Sequence, residues 1–225
     1  MATKEKRRGL AAKKKQVRKR NPEKTKQAIL SAATAEFCKH GLKGARVDAI
    51  SARSKCNIRL MYQYFGNKTE IYRAVLEHVY THVRSAERSL NLSSYEPLDG
   101  TRRLIDFTFT FFGNHHEYIT LINNENMLGA KYIAKSRIIK SLTLPLIATI
   151  EDLLKRGQRS RIFHKQVDPI QLYVSITALS YFHISNRFTL SAMFNEDLTR
   201  NAWLEKRREH AREMILTWLT RDPRR

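Results

Sequence analysis

Arg59 and Gln63 stand one helical turn apart in the run Asn57-Ile58-Arg59-Leu60-Met61-Tyr62-Gln63-Tyr64-Phe65-Gly66-Asn67-Lys68. A guanidinium offers two parallel N–H donors that match guanine O6 and N7, and a carboxamide offers the donor and acceptor that match adenine N7 and N6. Asn57 and Ile58 open the same segment. Arg46, Tyr62, Tyr64 and Lys68 flank it with donors suited to phosphate oxygens, which position without specifying. The chemistry on offer is hydrogen bonding to base edges from one face of a short helix. The tyrosines also admit a plainer reading, with Tyr62 mostly in the core and its hydroxyl at the rim. Phe65 reads as core, locking the next helix against this one.

The surrounding pattern supplies elements that can hold such a helix. Pro22 and Glu23 suit the first turn of a helix. Its apolar face is Ile29, Ala32, Ala33 and Phe37, and His40-Gly41 ends it, with Gly41 expected as a left-handed cap. A second helix is expected over 47–54 with Ile50 inward. Lys55-Cys56-Asn57 makes a tight turn, and Asn57 caps a third helix over 58–64. Phe65-Gly66-Asn67 breaks that helix. A long fourth helix starts at Lys68 and buries Ile71, Tyr72, Val75, Leu76, Val79, Tyr80 and Val83. Two short helices across a tight turn, the second with its first residues in the major groove, form a helix-turn-helix.

Charge agrees with a polyanionic partner. The chain has 225 residues and a net charge of +21. Residues 1–26 hold 12 basic against two acidic side chains, and residues 27–68 hold seven against two. The remaining 157 residues therefore carry only +6. An excess gathered into one third of the chain is the footprint of a nucleic-acid-binding face, and it runs past the tail into the helical segment. Residues 1–21 lack an apolar period, carry like-charge runs such as Lys13-Lys14-Lys15, and read as a disordered basic arm. We expect the arm to track phosphates or enter the adjacent minor groove, so that its removal weakens binding to all sequences.

Residues 22–77 resemble the DNA-binding domain of the tetracycline-repressor (TetR) family of transcriptional regulators. The likeness rests on Phe37 and Gly41 closing the first helix, Val47 and Ile50 opening the second, and Met61-Tyr62-Gln63-Tyr64-Phe65-Gly66-Asn67-Lys68 ending the third. Ile71 and Val75-Leu76-Glu77 continue it. Three positions depart from the family pattern. Lys55-Cys56-Asn57 stands where Gly-Val-Ser is usual, Ala45-Arg46 where a Ser or Thr cap is usual, and Leu60 where a small hydroxyl residue is usual. They alter the contact surface, and hence the operator, more than the fold. The resemblance implies phosphate contacts from Tyr64 and Lys68, and a helical ligand-binding and dimerisation domain in the second half. Within that half, Val167-Asp168-Pro169-Ile170-Gln171-Leu172-Tyr173 through Ser185-Asn186-Arg187 is similar to the subgroup that includes the pyrimidine-utilisation repressor.

The expected fold is all-α. It has a helix-turn-helix unit over 22–68, a helical body over 69–225, a connecting helix over about 68–90, and about nine helices in total. Only eight glycines and five prolines punctuate the chain, and no segment alternates cleanly at period two. Further helices are expected over 97–113, 116–127, 131–140, 142–156, 169–188 and 199–220, with Pro145 in the first turn of its segment or kinking it. The segment 169–188 is apolar on several faces, which suits pairing with a second copy through it and through 199–220. A two-fold palindromic site on double-stranded DNA then follows from a homodimer. For an unidentified small-molecule effector, candidate walls are Phe107, Phe111, Tyr118, Met127 and Tyr173, and candidate polar groups are Asn123, Asn124, Glu125, Asn126 and His183. Plain core packing competes for each aromatic.

Other classes find less in the residues. No Gly-rich phosphate loop, nucleophile elbow or carboxylate pair is visible, so we expect neither an enzyme nor a cofactor. His78 and His82 lie four apart, a spacing that can bind metal, but no third ligand is fixed and a solvated pair is the expectation. His115-His116-Glu117 reads as capping or a pocket edge. Cys38 and Cys56 read as small buried hydrophobes in a reducing compartment. No apolar run reaches bilayer length and no apolar stretch follows the basic N-terminus, so we expect a cytosolic, nucleoid-associated protein without a membrane partner. Two readings remain: a ligand-responsive dimeric repressor, and a sequence-tolerant DNA-coating protein on the same fold.

Overall fold

The computed structural model describes residues 21–221, which form ten α-helices and two 3-10 turns. The basic arm lies outside these residues except for Asn21, whose side chain accepts hydrogen bonds from the Glu23 and Lys24 amides at 3.0 and 3.3 Å and so caps the first helix.

Helix α1 (Pro22–Gly44) outruns its expected end. Gly41 does take a positive φ of 62°, but its ψ of 179° is extended, so the residue makes a break inside the helix rather than a left-handed cap. Helices α2 (Val47–Ser54) and α3 (Ile58–Phe65) follow, and α4 (Lys68–Ser89) links this head to the body. Ile29, Ala33 and Phe37 of α1 meet Ile50, Met61, Ile71, Tyr72 and Val75 in one buried cluster. That cluster also takes in Leu121 and Ile139 of the body, so head and body share a core.

The body comprises α5 (Pro97–Asn114), α6 (His116–Met127), α7 (Arg137–Arg159), α8 (Pro169–Ser185), α9 (Arg187–Phe194) and α10 (Asn201–Thr220). Its main core gathers Leu104, Ile105, Ile150, Leu153, Ile176 and Ile215. Two expectations are corrected here. The segments expected as helices over 131–140 and 142–156 are instead a 3-10 turn, Ile133–Lys135, and the single long α7, with Pro145 inside it. The segment 169–188 ends at Ser185, and an unforeseen helix α9 follows. Arg156-Gly157 does not end α7. A Cβ built on Gly157 would sit 2.1 Å from Phe163 Cδ2, so glycine here admits the Phe163 ring against the helix.

At the centre of the body Arg84 and Glu87 are both buried. Arg84 Nη1 donates to both Glu87 carboxylate oxygens at 2.8 and 2.6 Å, and Nη2 donates to the Tyr173 hydroxyl at 2.9 Å. Burial pushes the Glu87 carboxyl above the usual range, and Arg84 opposes it. A buried pair of this kind is costly to break by removing one partner alone.

Candidate nucleic-acid interface

The short reading helix is held at both ends. Lys55 sits in the left-handed region (φ 54°, ψ 32°), which turns the chain sharply out of α2. Ser51 donates its hydroxyl to the Cys56 carbonyl at 2.7 Å and so fastens the turn to α2. Asn57 then accepts from the Leu60 amide at 2.8 Å, which satisfies one of the orphan donors at the start of α3. Beyond α3, Gly66 takes φ 94° and Asn67 caps α4 by accepting from the Glu70 amide at 3.0 Å.

Helix α2 lacks a side-chain cap of its own, and its missing Ser or Thr is replaced from elsewhere. The buried Glu36 carboxylate on α1 accepts the Arg46 amide at 3.0 Å. One acidic residue among the apolar positions of α1 therefore ties α1 to the start of α2. Sequence reasoning passed over it, although an acid beside Phe37 on a buried face was the available signal. Arg46 extends from the same point into solvent, with Asp48 3.6 Å away.

Met61 is fully buried beneath α3, and Leu60, Tyr64 and Phe65 pack partly against the head core. Arg59, Tyr62 and Gln63 are exposed, and their i, i+3, i+4 spacing puts them on one face. They make no hydrogen bond or ion pair with other described residues. With 38% of its surface exposed, Tyr62 does not take the mostly-core reading. Asn57 is exposed at the start of this helix and Ile58 is half-buried. Tyr64 is half-buried, and the Lys26 ammonium lies 5.8 Å from its ring centroid. Lys68 is held inward rather than outward, its ammonium donating to the Lys43 carbonyl at 3.1 Å.

The eight expected effector residues do not form one wall. Phe111 and Tyr118 are buried side by side, ring centroids 5.6 Å apart, and line a common cleft. Phe107 faces a different groove, beside Tyr95 and Arg103. Tyr173 is taken up by Arg84. Met127 is 86% exposed and lines none of these cavities, because it ends α6 on the solvent side. Glu125 is buried for a structural reason: Oε2 accepts the Tyr132 and Ile133 amides at 3.1 and 3.0 Å, which pins the 3-10 turn. Asn123 donates to the Ser185 hydroxyl at 3.0 Å and accepts from Tyr181, linking α6 to α8. Asn124 is half-buried and Asn126 is exposed. His183 stacks on Phe109 at 5.5 Å, and burial, with Arg207 nearby, lowers its pKa to about 4.

His115 precedes α6 without capping it through its side chain, and its Nδ1 instead pairs with Glu117 at 2.8 Å. Burial and then Glu117 push the Cys38 thiol up to about 11, so it stays protonated at neutral pH. Among the described residues no group of three or more His, Cys, Asp or Glu side chains is placed to hold a metal ion, and no helix is long and apolar enough to cross a membrane.

Residues 29–75 match the profile described as bacterial regulatory proteins of the tetR family, and residues 97–215 match that of the tetracyclin repressor-like C-terminal domain. The chain belongs to the TetR family of helix-turn-helix regulators, which bind operator DNA and act as dimers. It is similar to the HTH-type transcriptional repressor NicS of Pseudomonas putida, 32% identical over 182 residues that cover 81% of this chain and 86% of that protein. It also matches the HTH-type transcriptional repressor SCO4008 of Streptomyces coelicolor, 37% identical over 110 residues, 48% of this chain and 53% of that one. Among solved structures, the transcriptional regulator SCO4942 of Streptomyces coelicolor superposes with a TM-score of 0.65 at 23% identity, covering 88% of this chain and 99% of that one. The ketosteroid regulator KstR2 of Mycobacterium tuberculosis gives 0.63 at 16% identity, over 88% and 95%. These two likenesses concern the fold alone.

Proposed function

We propose that the chain is a homodimeric transcriptional repressor that reads a palindromic operator with α3 and leaves it when a small molecule occupies the helical body. The observation that carries the reading part is the outward face of α3. Arg59, Tyr62 and Gln63 stand together there, unpaired with the rest of the described protein, on a helix fixed by the Lys55 turn and the Asn57 cap. In this reading Arg59 and Gln63 contact base edges and Asn57 and Ile58 approach the groove. Arg46, Tyr62, Tyr64 and Lys68 stand toward the flanking phosphates, Lys68 after release from the Lys43 carbonyl. Repression is supported by the names of the similar proteins, NicS and SCO4008.

The dimer rests on the body's exposed apolar stripe. Ile170, Val174 and Phe182 of α8 and Met214 and Trp218 of α10 face outward, on the helices expected to pair. A hydrophobic stripe on two neighbouring helices suits a second copy better than water. The effector is supported by the Phe111 and Tyr118 cleft.

Two numbers test this reading against DNA coating. Titration of a genomic fragment recovered with the protein is expected to bind two chains per site, with affinity at least ~10³-fold above that for random duplex at near-physiological salt. Equal affinity for both DNAs, with chains adding in proportion to length, would overturn it in favour of coating.

A further inference from the structure

The cleft beside Phe111 and Tyr118 lies where head meets body and encloses about 330 Å³. That is the low end of the range for small-molecule sites and suits one or two rings. Three elements meet there. Helix α1 of the head brings Thr34 and Cys38, α4 brings His78 and His82, and the corner between α5 and α6 brings His115 and Glu117.

The floor is aromatic and flat. The His115 ring stacks on Phe111 with centroids 4.3 Å apart and planes 28° apart. His82 stands edge-on to His115 at 5.1 Å and 76°. A planar ring laid on this surface would meet π-faces and ring edges in the offset and T-shaped geometries that such rings prefer.

The donors of the wall are already in use. The Thr34 hydroxyl donates to the Leu30 carbonyl at 2.8 Å, and the Cys38 thiol donates to the Glu117 carbonyl at 3.6 Å. His115 Nδ1 lies 2.8 Å from Glu117 Oε1, a partner that can only accept when ionised, so the proton belongs on Nδ1 and Nε2 of the neutral ring is an acceptor. Burial, then His82, holds His78 below the usual histidine range, which leaves it a neutral ring as well. No Lys or Arg lines the cleft. An anionic ligand would find Glu117 there and no fixed cation.

We propose that this cleft binds a neutral planar aromatic of one or two rings carrying a hydroxyl, which stacks on Phe111 and His115 and donates to His115 Nε2. The site rests on the reading of the body as a sensor, and it deepens that reading by naming the ligand class. Because its walls belong to α1, α4 and the α5–α6 corner, a ligand touching all three biases how the head sits on the body.

Equilibrium dialysis of the full chain at neutral pH tests the proposal with three probes: 2-naphthol, 2-methoxynaphthalene and 2-naphthoate. The expected result is saturable binding of one 2-naphthol per chain. The methoxy compound, which lacks the donor, is expected about tenfold weaker, the equivalent of one hydrogen bond. The carboxylate is expected no tighter than the methoxy compound. Ala35→Phe, an exposed position at the rim, should abolish naphthol binding while the melting temperature is retained. His115→Phe keeps the stack and should bring naphthol down to the methoxy level. Tighter binding of 2-naphthoate, equal binding of naphthol and its methyl ether, undiminished binding to Ala35→Phe, or no saturable naphthol binding would each overturn the proposal. If that happens with operator binding intact, the cleft is lost and the regulator reading stands; absence of any sequence preference in DNA binding removes the regulator reading instead.

Discussion

Arg59 is an exposed guanidinium on a rigid helix with no partner among the described residues, and the account gives it the largest share of sequence recognition. Arg59→Ala is expected to weaken operator binding by about 1–3 kcal/mol while affinity for random DNA changes much less, measured by titrating both duplexes. Equal losses on both would make Arg59 a phosphate contact. His183 supplies a second residue-scale test. Its folded pKa of about 4 lies below the ordinary value near 6.5 that the unfolded chain keeps. Between those values the unfolded state holds a proton that the folded state lacks, so stability falls as pH drops through this window and is recovered above it. The melting temperature should therefore fall from pH 7 to pH 5, and less so in His183→Phe, which keeps the stack on Phe109 and cannot titrate. An identical fall in the variant would place the effect on other groups. At this scale the reading face was legible in the sequence because Asn57, Arg59 and Gln63 act through local spacing on one short helix. The effector wall was not, because it depends on which helices meet. Glu125 turned out to hold backbone amides, Met127 fell at an exposed helix end, and only Phe111 and Tyr118 of the expected set share a cavity.

Helix α7 carries the clearest departure between pattern and element. Pro145 suggested a helix start or a kink, since proline cannot donate to the residue four before it. In the structure α7 runs Arg137–Arg159 through Pro145, and Pro145 is exposed. Water can serve the Ser141 carbonyl on that open face, so the helix tolerates the proline at some cost. Pro145→Ala is expected to raise stability by roughly 2 kcal/mol, the interior penalty less the entropy that proline removes from the unfolded chain. Urea unfolding measures it, and an unchanged or lower midpoint would contradict the cost assigned here. Helix α9 escaped notice for a related reason. The apolar run of α8 continues across Asn186 into Arg187–Phe194, and periodicity alone places no boundary in a run that is apolar on several faces. The head's elements were easier. Asn21, Asn57, Asn67 and Asp168 each cap the helix that their type predicts.

For the whole molecule, the account requires two copies. Val174→Asp places a charge at the centre of the exposed stripe of α8 without entering the core. It is expected to yield folded monomers in sedimentation and to weaken operator binding about as much as losing one of two half-sites demands. A dimer that survives this change would place the interface elsewhere. The charge distribution also belongs to this scale. A net +21 gathered toward one end attracts any duplex, so affinity alone cannot tell a reader from a coating protein. The measurement that tests the central claim most directly is selection of bound fragments from the source genome by the purified protein at near-physiological salt. The account predicts one sharp palindromic motif, with half-sites about one turn of DNA apart. Broad recovery of fragments without a common motif would contradict it.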